Sequence, residues 1–119
     1  MSNDTSKIIA EHNDRFRSKI GILPIEDNLI KGKYLITQGI DCLPMEEQIS
    51  IINQVREFKD FNQNNDPYGE HDFGKFSDNL HDVIWKIDYY DTDYKFGSAD
   101  PSDPAQTHRV LTVMLACEY

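Results

Sequence analysis

Glu70, His71 and Asp72 stand in succession, and Asp88 follows in the next apolar segment. Carboxylates and imidazoles ligate divalent cations and move protons, so these four residues are where a metal-dependent hydrolase or nuclease would be centred. Their spacing argues against it. On an extended strand Glu70 and Asp72 share one face and His71 takes the other, so all three reach one ion only if the strand is bulged. Two carboxylates completed by Asp88 from a facing strand would make a weak hard-cation site, short of the convergent ligands that a closed site needs. We therefore expect no bound metal or cofactor, and keep the hydrolase on Glu70, His71, Asp72 and Asp88 as the alternative to a non-enzymatic role.

Other chemistries fail sooner. Asp91-Thr92-Asp93 begins like a calcium loop, but Lys95 occupies the third ligand position and Phe96 the place of the obligatory Gly. Ser98 or Ser102 could be matched with His71 or His108, yet no nucleophile-elbow sequence or Gly-rich phosphate loop accompanies them. His12, His71, His81 and His108 have no mutual metal spacing, and Cys42 and Cys117 lie far apart, as expected of two small buried thiols. The start of the chain, Met1 to Lys7, is polar, and no apolar run approaches the ~18 residues of a membrane span, so the expected location is the cytoplasm.

Charge is more informative. The 119 residues carry 21 Asp and Glu against 12 Lys and Arg, a net charge of -9. Residues 60–103 hold most of this excess, with Lys75, Lys86 and Lys95 as their only cations, and interleave the acids with Phe61, Tyr68, Phe73, Phe76, Trp85, Tyr89, Tyr90, Tyr94 and Phe96. Such a chain is repelled by phosphates unless a local basic patch exists, and none stands out along the sequence, so direct nucleic-acid binding is disfavoured. Acids supply steering and aromatic rings supply anchors, which together suit a protein partner with a basic surface. The expected contact residues are Asp88, Tyr90, Asp91, Asp93, Tyr94 and Asp100.

A single domain, 1–119, must position these groups. Thr5 or Ser6 caps a helix over 5–19 with Ile8, Ile9, Phe16 and Ile20 as its stripe. Residues 33–38 have strand composition, and Met45, Ile49, Ile52, Val55 and Phe58 mark a helix over 44–61. Asp66-Pro67-Tyr68-Gly69 has the residue preferences of a type I turn. Strands 70–77 and 82–90 form a hairpin across Asp78 to His81, with Val83, Trp85, Ile87 and Tyr89 facing the core. A two-residue turn would set His71 opposite Lys86, and a three-residue turn would set Asp72 there as an ion pair, the electrostatically preferable register. Asp103-Pro104-Ala105-Gln106 resembles a helix start, which makes 104–118 the third helix; a strand through Val110 to Leu115 is the runner-up. The expected fold is α+β, a small antiparallel sheet of about three strands with three helices mainly on one side.

The blocks "NDPYGEHDFG" (65–74) and "WKIDYYD" (85–91), with "FGS" at 96, "DPSDP" at 100 and "RVLTVMLACEY" at 109, resemble a family of small bacterial proteins catalogued as domain of unknown function 3768. Fainter likeness extends upstream through Asn13-Asp14, Phe16-Arg17, Thr37 with Gly39, and Leu43-Pro44 with Glu46 and Gln48. Asn64 and Cys117 depart from the pattern, and 22–33 is peculiar to this chain. The resemblance carries no catalytic assignment. It implies one neighbourhood for Glu70, His71, Asp72, Lys86, Asp88, Tyr90 and Asp91. The family's occurrence in proteobacteria, often on plasmids and other mobile DNA, implies an inhibitor of a host-defence nucleic-acid enzyme, of anti-CRISPR or anti-restriction type.

Overall fold

The computed structural model describes residues 3–22, 29–78 and 80–119. Its elements run α1 (Asn3–Arg17), β1 (Lys31–Ile36), α2 (Gln38–Asp41), α3 (Met45–Arg56), β2 (Phe73–Ser77), β3 (Asp82–Tyr90) and β4 (His108–Leu115), closing with a 3₁₀ turn over Ala116–Glu118. The strands form one sheet in the order β1-β4-β3-β2. The class is α+β as expected, but the sheet is mixed and four-stranded, because β1 runs parallel to β4 while the other pairs are antiparallel. Among the described residues no helix is long and apolar enough to cross a membrane.

The helix expected over 104–118 is instead the central strand β4. The capping signals are real, yet they build only an isolated turn: Asp103 accepts hydrogen bonds from the Ala105 N–H (2.9 Å) and the Gln106 side chain (2.7 Å). Beyond it Val110, Leu111, Val113 and Met114 are all buried. A strand whose outward residues are shielded by long side chains of its two neighbours loses its polar alternation and reads like a buried helix, and the β-branched Val110, Thr112 and Val113 decide for the strand.

Residues Val83, Trp85 and Ile87 of β3 and Leu111 and Val113 of β4 make the inner face, on which Phe16, Ile40, Ile51, Val55 and Phe58 pack. Phe58 meets Trp85 edge-on with ring centres 5.6 Å apart. Arg56, at the end of α3, donates from Nε (3.0 Å) and Nη2 (2.7 Å) to the Ile20 carbonyl, tying the two long helices together. Glu118 accepts from the Gly39 N–H at 2.9 Å and so fixes α2 against the chain's last turn. Cys42 and Cys117 are exposed rather than buried, since each lies just past an element that enters the core.

The hairpin adopts neither expected register. Phe73 opposes Lys86 and Ser77 opposes Asp82, leaving residues 78–81 as the connection. Asp78 makes this longer loop, its Oδ1 accepting from the N–H groups of Leu80 (2.8 Å) and His81 (2.7 Å). Of the expected turn pair, Asn79 lies outside the described residues. Glu70, His71 and Asp72 therefore precede β2 instead of belonging to it.

Gly32 is required by the β1–β4 contact: a Cβ there would lie 1.9 Å from the Arg109 carbonyl oxygen and 2.8 Å from Phe16 Cζ. Gly32→Ala should destabilise the fold by about 3 kcal/mol, seen as a lower urea midpoint at unchanged denaturant slope.

Candidate functional site

On α1, Asn13 and Arg17 are one helical turn apart and share the face that carries Ile9 and Phe16, so both polar side chains are carried into the interior. Tyr89 ends the inner row of β3, and Arg109 is its register partner on β4. These placements bring an amide, a phenol and a guanidinium together. Arg109, fully buried, donates from Nε to Asn13 Oδ1 (2.6 Å) and from Nη2 to the Pro101 carbonyl (3.0 Å), while its guanidinium lies 5.3 Å from the Tyr89 ring centre. Asn13 in turn donates from Nδ2 to Tyr89 Oη (2.8 Å) and the Glu70 carbonyl (2.9 Å).

Two carboxylates meet at the same phenol. Tyr89 Oη stands 3.2 Å from Glu70 Oε1 and 3.3 Å from Asp72 Oδ2. One hydroxyl proton serves both, so the second contact is satisfied when a carboxyl is protonated. Burial, followed by the neighbouring Asp72 charge, pushes the Glu70 carboxyl above its usual range. Burial likewise raises Asp72, against the hydrogen bond from Tyr89. Tyr89 itself is held far above the usual phenol range by burial and then by Asp72.

His71 turns the other way. Asp66, itself buried, closes the predicted turn by accepting the Glu70 and His71 N–H groups on Oδ1 at 3.0 and 3.2 Å, with Gly69 donating to its carbonyl at 3.1 Å. His71 then adopts φ 57°, a left-handed conformation that points its ring away from the Glu70 and Asp72 carboxylates. The ring stacks on Phe61 at 3.9 Å and 3°, its Nδ1 is 3.0 Å from both Asp14 oxygens, and its Nε2 is 3.7 Å from Asp66 Oδ2. Behind it Arg17 lies over the Phe61 and Trp85 rings and donates to the Val55 carbonyl at 2.9 Å. An open groove of about 420 Å³ runs between α1 and this turn, bordered by Lys7, Glu11, Asp14, Tyr68 and His71.

The four residues singled out for hydrolysis thus do not form one site. Glu70 and Asp72 converge on Tyr89; His71 lies between Asp14 and Asp66; Asp88 is on the sheet's outer face, bound to Lys86 Nζ at 2.6 Å. The single neighbourhood implied for 70–72, Lys86, Asp88, Tyr90 and Asp91 is divided by the sheet, because β3 alternates and the register is longer than expected. Among the described residues no group of three or more His, Cys, Asp or Glu could hold a metal ion. Sequence reasoning overlooked Asn13 and Arg109 as members of this cluster; for Asn13 the usable signal was a polar residue inside an apolar stripe, whereas Arg109 stands at the start of the row it shares with Leu111 and Val113. Tyr90, Asp91, Asp93, Tyr94 and Asp100 lie at the end of β3 and in the segment 91–107 that follows it.

No curated protein and no solved structure matches the chain. A family model does, over residues 36–118, so the chain belongs to DUF3768, described as a protein of unknown function. The matched span contains Glu70, Asp72, Tyr89 and Arg109, whereas Asn13 precedes it.

Two outcomes follow from the cluster. Carboxyls raised above their unfolded values favour the folded state below the ordinary carboxylate range near pH 4. That contribution is lost as pH rises through the folded values, so Asp72→Asn should gain stability over the parent toward neutral pH and lose its advantage in acid, in urea titrations across that range. Asn13→Ala leaves buried Arg109 and Tyr89 short of partners and should cost about 3 kcal/mol.

Proposed function

We propose that the chain is a small acidic interaction protein that docks onto a protein partner with a basic, nucleic-acid-binding surface, in the manner of an inhibitor carried on mobile DNA. The single observation that carries this reading is the construction of the segment 91–107. It has no helix or strand of its own, yet it is held at every turn by the residues that give it charge. Long irregular segments that are tightly built are commonly binding loops.

Asp91 accepts the Asp93 and Lys95 N–H groups, each at 3.1 Å, and its own N–H donates to the Phe96 carbonyl at 2.8 Å. Asp100 accepts from Ser102 through both N–H (3.1 Å) and hydroxyl (2.6 Å). Hydrogen bonds from Gln106 and the Ala105 N–H hold the Asp103 carboxyl below its usual range, so it keeps its charge. Thr107 donates to the Asp100 carbonyl at 2.8 Å, and Arg109 to Pro101, which moors the loop to the buried cluster. A loop ordered before it binds loses little entropy on binding. Asp91, Asp93, Asp100 and Asp103 face only Lys95 in it, and Phe96, 74 % exposed, offers an apolar anchor beside them.

The roles of Asp91 and Asp100 in building the loop make them poor probes, so the test uses Asp93→Lys combined with Phe96→Ala. Affinity capture from a bacterial lysate should retain a discrete basic protein, released by salt. Titration of that purified protein should show at least a tenfold loss of affinity for the double variant. Capture unchanged by the double variant, or insensitive to salt, would overturn the reading.

A further inference from the structure

Among the described residues the helices all contribute to the core on the inner face of the sheet, and the outer face carries strand side chains together with Tyr94 and Tyr119. Register assigns its members. Lys31, His108 and Tyr90 form one row, Lys33, Val110 and Asp88 the next, then Leu35, Thr112, Lys86 and Phe73, and finally Met114, Ile84 and Lys75. Lys31, Lys33, Lys75 and Lys86 are thus gathered on one surface from strands far apart in sequence. Asp82 and Asp88 are the acids on those strands' outer positions, and Asp88 is already bound to Lys86. In a chain of net charge -9 this face is positive.

Aromatic rings stand among these cations. Tyr119, 74 % exposed, lies 5.9 Å from Phe73. At the opposite end Tyr94 is 6.4 Å from Tyr90 and 5.0 Å from His108, with Lys33 Nζ 4.2 Å over its ring. Lys86 opposes Phe73 across the β2–β3 pair, so it stands beside the ring that Tyr119 approaches. Sheets that present rings for base stacking and lysines for the backbone bind single-stranded nucleic acid with little sequence preference.

We infer that the outer face of the sheet is a docking surface for single-stranded nucleic acid, with Lys31, Lys33 and Lys75 meeting phosphates and Tyr119, Phe73 and Tyr90 offering stacking faces. Charge complementarity selects this occupant over an acidic protein, since rings interleaved with lysines suit alternating bases and phosphates. The surface is separate from the acidic loop proposed above and does not depend on that reading. The acids of 91–103 border it at one end, so the strand crosses the middle of the sheet toward Tyr119.

The test is fluorescence anisotropy of labelled oligo-uridylate and oligo-deoxythymidylate with the full chain. Saturable binding is expected, with a double-logarithmic salt slope of about -2 for three phosphates neutralised. Lys33→Glu with Lys75→Glu should weaken it more than tenfold and flatten the slope. Tyr119→Ala should weaken it about tenfold at unchanged slope. Both variants alter exposed positions, and circular dichroism establishes that each is folded. Absence of saturable binding, indifference to both variants, or equal binding to poly-aspartate, which has charge but no bases, would each overturn the inference; the last would mark a face for an acidic protein instead.

Discussion

Arg109 is the constraint around which the molecule is arranged. It sits on the central strand with no exposed surface, and a guanidinium cannot shed its charge at ordinary pH, although burial lowers its affinity for the proton. Its partners must therefore come to it. Asn13 brings α1, the Pro101 carbonyl brings the acidic loop, and the Tyr89 ring brings β3. Through Asn13 and Tyr89 the same knot reaches Glu70 and Asp72 ahead of β2. One buried cation thus fixes a helix, two strands and the irregular segments before β2 and after β3, and an apolar residue in its place would leave the Asn13 Oδ1 and Pro101 carbonyl acceptors without their common donor.

That arrangement explains which parts of the fold could be read from residue order. The hairpin arm 82–90, the two long helices and the 66–69 turn follow from local preference, because Val83, Trp85 and Ile87 alternate and Asp66, Pro67 and Gly69 are specific to their turn positions. β4 escaped because its information is non-local. Packed on the core at one face and flanked by β1 and β3, whose side chains shield its outward residues, it has lost the alternation by which an isolated strand is recognised. The hairpin register escaped for a different reason: Asp78 uses its side chain to close a four-residue connection, a choice that Asp-Asn does not advertise over a tighter turn.

The candidate site was half visible for the same physical cause. Glu70 and Asp72 do converge, on the Tyr89 hydroxyl, but not as neighbours on an extended strand: the backbone of His71 between them is left-handed and sends its ring to Asp14 and Phe61. Asp66 imposes this by holding two successive N–H groups on one oxygen. No reading of residue types alone predicts that a His will accept such a conformation, since its cost is repaid by contacts from α1 and from Phe61. Asn13 was legible only as an anomaly, a polar residue where periodicity asks for an apolar one, and Arg109, at the polar start of its segment, gave no such sign.

Charge shows the same dependence on topology. Along the chain the acids of 60–103 overwhelm their few lysines, and the acidic loop is visible at once. The lysines of the outer face are scattered over β1, β2 and β3, and only the insertion of β4 between β1 and β3 brings Lys33 within two strands of Asp88 and Lys86. A net charge describes the far field, which a chain of -9 presents to any distant polyanion. At contact distance screening removes most of that field, and the side chains within about 10 Å decide the sign. The molecule is therefore better described as polarised than as acidic, with a hydrogen-bonded anionic loop at one end of the sheet and lysines and rings gathered on the face running away from it. Arg109, which moors that loop to the strand carrying Thr112 and Val110 of the outer face, keeps the two surfaces in fixed relation.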